Sequence, residues 1–134
     1  MKKIRLTACI ALSFLLIASC ENKAKEKLTG VWKLEIMDIN NTPLQGSSFG
    51  RWLWEFNEEG GYLINVDGAV EKGTYKVDKD KLTLKSITQK ERPDQVFTIA
   101  KLDSANMNLV SATDKNTTSL TFIKMESEDV AEKD

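Results

Sequence analysis

Cys20 is the side chain whose surroundings prescribe a reaction. It follows Ile17-Ala18-Ser19, behind a basic start (Lys2, Lys3, Arg5) and an uncharged, mostly apolar stretch from Leu6 to Ala18. That stretch is too short to span a bilayer comfortably, and the parts together read as a cleaved export signal. An ordinary signal peptidase cutting before Cys20 would want a small side chain three residues upstream, where this chain has the branched Ile17. The arrangement favours a route in which the exported chain is held by lipid through Cys20. Cys9 also follows small residues, Thr7 and Ala8, but has too little apolar chain before it.

The remaining inventory is short of reactive groups. With Cys9 lost with the signal and Cys20 used as the anchor, the folded part has no thiol and no disulfide. Histidine is absent altogether. This removes the Ser-His-Asp and Cys-His arrangements, the usual general base and the commonest metal ligand. The acids sit mainly in turns beside Gly, Asn or Lys, where solvation keeps them ordinary. No enzyme, no cofactor and no metal site is expected, although an inward carboxylate would reopen the question.

The Ile17 to Cys20 pattern resembles the bacterial lipobox, and the resemblance implies an envelope lipoprotein held in the membrane by fatty acyl chains such as palmitate. Acyl chains contribute about 0.8 kcal/mol per buried methylene, so several of them hold durably. The alternative is an ordinary secretory signal that happens to end near a cysteine. The expected location is the bacterial cell envelope, the outer membrane first, with leaflet and face left open. Removing residues 1–19 from the 134 leaves 115, and losing Lys2, Lys3 and Arg5 takes the formal charge from −1 to −4. A mildly acidic chain without a basic block lacks the footprint of a nucleic-acid binder. The length allows one domain, with a core and no staples.

Residues 20–27 read as the lipidated cysteine and a polar tether, residues 28–125 as the domain, and residues 126–134 as an acidic flexible tail. Within the domain, short alternations of apolar and polar residues recur every ten to thirteen positions, separated by Asp, Asn, Gly and Ser. Trp32, Leu34 and Ile36 share a face of the first strand, and Trp52, Trp54 and Phe56 a face of the second. Glu58-Glu59-Gly60-Gly61 and Asp67-Gly68 reverse the chain around Tyr62, Ile64 and Val66. Gly73 to Asp78 and Lys81 to Ile87 form a further hairpin, followed by strands holding Phe97 and Ile99, Met107 and Leu109, and Leu120, Phe122 and Lys124. Asn40 to Gly50 and Thr88 to Gln95 are the long loops, and no amphipathic helix stands out.

Eight sequential antiparallel strands left as a flat strip would expose two unpaired edges beside apolar side chains. Alternation alone leaves a two-sheet sandwich open. Closure removes the edges, so the expected fold is all-β, an eight-stranded antiparallel up-and-down barrel.

Gly30-Val31-Trp32 at the head of the first strand reproduces the Gly-X-Trp signature of lipocalins. The stretches Trp54 to Tyr62, Gly73-Thr74-Tyr75 and Leu120 to Lys124 resemble the compact lipocalin-like domains of small bacterial lipoproteins, so the resemblance spans about Leu28 to Met125. It implies that Trp32 closes one end of a barrel and that a basic side chain of the last strand packs across it. Here that side chain is Lys124 where lipocalins usually have arginine, and the alternative is a lysine that ends an edge and reaches into water. The resemblance further implies binding of a small apolar or amphipathic ligand. Trp52, Trp54, Tyr62 and Tyr75 are the candidate lining, set against the reading in which they fill the core. The competing function is a filled barrel serving as an interaction scaffold or an inhibitor of an envelope enzyme. Asp103-Ser104-Ala105 also resembles an O-glycosylation acceptor of exported proteins in some Gram-negative bacteria, although a turn explains the triplet as well.

Overall fold

A computed structural model of the chain describes residues 23–45 and 50–126. The export signal, Cys20, part of the Asn40 to Gly50 loop and residues 127–134 of the acidic tail lie outside the described residues. The elements are a helical turn, α1 (residues 23–28), followed by β1 (Gly30–Ile39), β2 (Thr42–Gln45), β3 (Trp52–Phe56), β4 (Gly61–Val66), β5 (Ala69–Asp78), β6 (Lys81–Ser86), β7 (Gln95–Leu102), β8 (Asn106–Ala112) and β9 (Thr117–Lys124).

The strands form one antiparallel sheet in the order β2-β1-β3-β4-β5-β6-β7-β8-β9, and pairing of β1 with β9 closes it. The result is the expected eight-stranded barrel with β2 added. One edge of β1 is shared. Its first residues, Gly30 to Lys33, pair with β3, and its last, Ile36 to Ile39, pair with β2. β2 therefore extends the wall beyond β3.

Two differences from the sequence reading have local causes. Thr42 to Gln45 reads as loop because Pro43 cannot donate to a ladder, but as a strand paired on one side Pro43 is tolerated there. Asn40 and Asn41 carry φ of 52° and 66°, the signs a two-residue type I′ hairpin requires. Residues 23–27, read as tether, instead coil together with Leu28 into α1, and Leu28 is fully buried.

Consecutive hairpins alternate between the two ends of the barrel. Turns 57–60, 79–80 and 103–105 lie at the end where β1 begins and α1 docks. Turn 67–68, the 87–94 segment and turn 113–116 lie at the other end, together with β2. The interior is a continuous apolar core from Leu28 and Trp32 through Trp54, Phe56 and Phe97 to Met107, Leu109, Leu120 and Phe122. Trp54 on β3 and Phe97 on β7 stand four strands apart in the ring of eight, on opposite walls, yet their ring centroids are 5.8 Å apart. The lumen is filled at that level.

Candidate functional site

At the α1 end, the polar tips of Trp32, Lys124 and Tyr75 each have a partner among the described residues. The Trp32 indole N–H donates to the carbonyl of Leu28 at 2.8 Å, fixing α1 against the barrel. Lys124 lies directly across the ladder from Trp32, its Nζ 5.2 Å from the indole centroid and 3.4 Å from the carbonyl oxygen of Lys27. Gly30 makes this approach possible. Its φ is +133°, a value side chains rarely adopt, and a Cβ there would fall 2.7 Å from Lys124 Cε. Gly30, Trp32 and Lys124 are thus one packing unit.

Tyr75 belongs to the same end. Its hydroxyl donates to the carbonyl of Asn57 at 2.7 Å, Lys25 Nζ sits 5.8 Å from its ring centroid, and burial pushes its pKa up. Trp52 is at the opposite end, paired with Val66 beside turn 67–68, and is only partly buried. Trp54, Tyr62 and Tyr75 are buried to within 5%. The four aromatics expected as a common lining are therefore divided between the two ends, and Tyr75 is no part of an open mouth.

The end on which no helix docks among the described residues, the open end, holds a polar chain whose Glu71 and Arg92 sequence reasoning missed. Glu71 lies on β5 opposite Ile64, and shares its face with Gly73 and Tyr75. The Tyr62 hydroxyl donates to Glu71 Oε2 at 2.7 Å, and Arg92 of the 87–94 segment donates to the same oxygen at 2.6 Å. Arg92 also reaches Gln89 Oε1 at 3.1 Å, while Ser86, itself nearly buried, accepts the Gln89 amide at 2.9 Å. Tyr62 can lie this way because Gly73 faces it. A Cβ at Gly73 would collide with the Tyr62 ring and the carbonyl oxygen of Lys85.

The charges follow from these contacts. Burial, then the Glu71 hydrogen bond and charge, push Tyr62 up to about 12. Burial would raise Glu71, but hydrogen bonds from Arg92 and Tyr62 and the charge of Arg92 outweigh it and hold the carboxyl below its ordinary value. Arg92 is raised in turn, its hydrogen bond to Glu71 being the largest cause. Glu71 is thus an ionised carboxylate with a fixed cationic partner, an arrangement suited to holding a polar group rather than delivering a proton. On β3, across Ile64 from Glu71 in the ladder, Trp54 has a buried indole N–H with no acceptor among the described residues.

A depression of about 400 Å³ touches Tyr62, but it opens on the outer wall between Glu55, Leu63, Lys72 and Ile87 and not into the lumen. Among the described residues no group of three or more His, Cys, Asp or Glu side chains could hold a metal ion. In the Asp103-Ser104-Ala105 triplet, the Asp103 carboxylate accepts the amides of Ala105 and Asn106 at 2.9 and 2.7 Å, which lowers its pKa and shapes the turn.

Comparison with known proteins places this geometry. Residues 28–109 match the lipocalin-like domain family. A lipocalin-like protein from Bacteroides uniformis superposes with a TM-score of 0.59 at 14% identity, covering 74% of this chain and 99% of the other. An uncharacterized protein from Bacteroides eggerthii does so with a TM-score of 0.56 at 16% identity, covering 73% and 99%. No curated protein matches the chain. The family match over most of the barrel, the closed eight-stranded ring and the Trp32 closure agree: the chain belongs to the lipocalin-like domain family.

Proposed function

We propose that this chain is an envelope lipoprotein, anchored through acylated Cys20, whose barrel binds a small amphipathic ligand at its open end. The observation that carries the reading is the run of polar handles in an otherwise apolar tube. Tyr62, Glu71 and Arg92 are linked in a chain, and the buried Trp54 N–H has no acceptor among the described residues. Sites of this kind pair apolar walls with a few placed polar groups. Because Trp54 and Phe97 meet across the lumen, the ligand sits above them in a shallow site, against Trp52 and Val66. Binding is the whole activity in this reading, with no catalysis, cofactor or metal.

Native mass spectrometry of protein purified without denaturant tests it, alongside tryptophan emission during titration with extracted envelope lipids. A bound small molecule and an emission shift, both diminished in Arg92→Met, are expected. A bare mass and a flat titration would count against the site.

A second reading, a rigid scaffold that binds a protein or inhibits an envelope enzyme, is favoured by the same contact across the lumen, since a filled barrel leaves recognition to its loops. Pull-down from envelope extracts discriminates the two. A stoichiometric partner lost on substitutions in the 87–94 segment supports the scaffold, and its absence supports the binder.

A further inference from the structure

α1 is not a free leash. Leu28 is fully buried, the Trp32 indole and the Thr29 hydroxyl donate to the carbonyls of Leu28 and Lys25 at 2.8 Å, and Lys25 and Lys124 stand over Tyr75 and Trp32. Residue 23 is therefore fixed to the Trp32 end of the barrel. Three residue steps separate it from Cys20, and three steps span at most about 11 Å. Strands as long as β9, eight residues at about 3.3 Å each and tilted, set the two ends about 20 Å apart.

We propose that the Trp32 end of the barrel rests on the bilayer surface and that the end bearing β2, turn 113–116 and the Tyr62, Glu71 and Arg92 chain faces away from it. The proposal rests on Cys20 being the acylated anchor. With the anchor in the headgroup layer, the leash is too short to let the open end down unless the barrel lies on its side. The surface beside α1 favours the upright pose. A cleft of about 340 Å³ between α1 and the barrel is lined by Lys23, Lys27 and Lys79 against the single Asp80, over the apolar Ile99 and Leu102. All three lysines are exposed, so the cleft offers a local positive seat to lipid phosphates, although Glu26, Glu58, Glu59 and Asp78 are exposed at the same end and the mature chain as a whole is acidic.

The test uses the lipidated mature protein with one added thiol, Glu59→Cys at the Trp32 end or Lys115→Cys at the open end, both exposed positions. Each variant is labelled with a thiol-reactive fluorophore and inserted into phosphatidylcholine vesicles containing phosphatidylglycerol and a headgroup-attached quencher. Quenching at position 59 several-fold stronger than at position 115 is the expected result. Equal quenching, or stronger quenching at 115, in protein whose intact mass includes the acyl chains overturns the orientation alone. An intact mass without acyl chains removes the anchor, and the orientation with it.

Discussion

The two ends of this barrel are built from the same kinds of residue and use them differently. At the Trp32 end an indole, a tyrosine hydroxyl and two lysines are consumed by the protein's own backbone and rings. At the other, a tyrosine hydroxyl, a carboxylate and a guanidinium are linked to one another, to Ser86 and to Gln89, and the buried Trp54 indole lacks an acceptor among the described residues. Aromatic residues with polar tips therefore do not mark a site by type. What separates closure from candidate binding is where each polar atom finds its partner.

The largest test of this contrast is Trp32→Ala against Trp52→Ala. Trp32 is fully buried and supports α1, so its loss should cost about 3–5 kcal/mol in urea unfolding. Trp52 is only partly buried, and its loss should cost clearly less, about 1–2 kcal/mol. Equal costs would erase the distinction between the ends.

Gly30→Ala comes next. It forces a side chain into positive φ against Lys124, and about 1–3 kcal/mol of destabilisation is expected, read as a lower urea midpoint. A second change, Lys124→Ala, should recover part of the loss by clearing the stem of Lys124; no recovery would show that backbone strain alone is at work.

The smallest effect is read by pH. Glu71 has a lowered pKa in the folded chain, so the native state holds fewer protons than the unfolded one near the ordinary carboxylate value. Its contribution is present above about pH 4.3 and lost as the pH falls through the lower folded value. Tyr62 has the opposite sign. Its contribution is present below about pH 10 and lost as the pH rises toward its folded value of about 12. Glu71→Gln should flatten the acid limb of the stability profile, and Tyr62→Phe the alkaline limb. An unchanged acid limb in Glu71→Gln would mean that the carboxylate is solvated and holds nothing.

Most of the wall was legible because its signals are local. Asp67-Gly68 and Gly60-Gly61 punctuate the chain where the hairpins fall, and alternation places Trp54, Phe56 and Phe122 inward. Gly30, Trp32 and Lys124 were legible through family resemblance and strand parity, and they meet in the structure. Glu71 was not legible because the fourth of the eight expected strands reads from Gly73, whereas the corresponding β5 begins at Ala69. Counting back by twos from Tyr75 through Gly73 would have turned Glu71 inward. Arg92 had no such signal, since a loop residue's partner is set by tertiary packing. α1 was missed because six residues rich in lysine carry too little period to read, and its order comes from Leu28 and the indole of Trp32.

The ladder between β1 and β9 has a consequence for how the chain acquires its shape. First and last strands form the seam of the cylinder, with Trp32 against Lys124 and Ile39 against Thr118. A polypeptide emerging amino end first can zip its hairpins one after another, but it stays an open ribbon until residue 124 has appeared. Completion is thus gated by the final segment, and any truncation short of β9 leaves an unzipped sheet with two sticky borders.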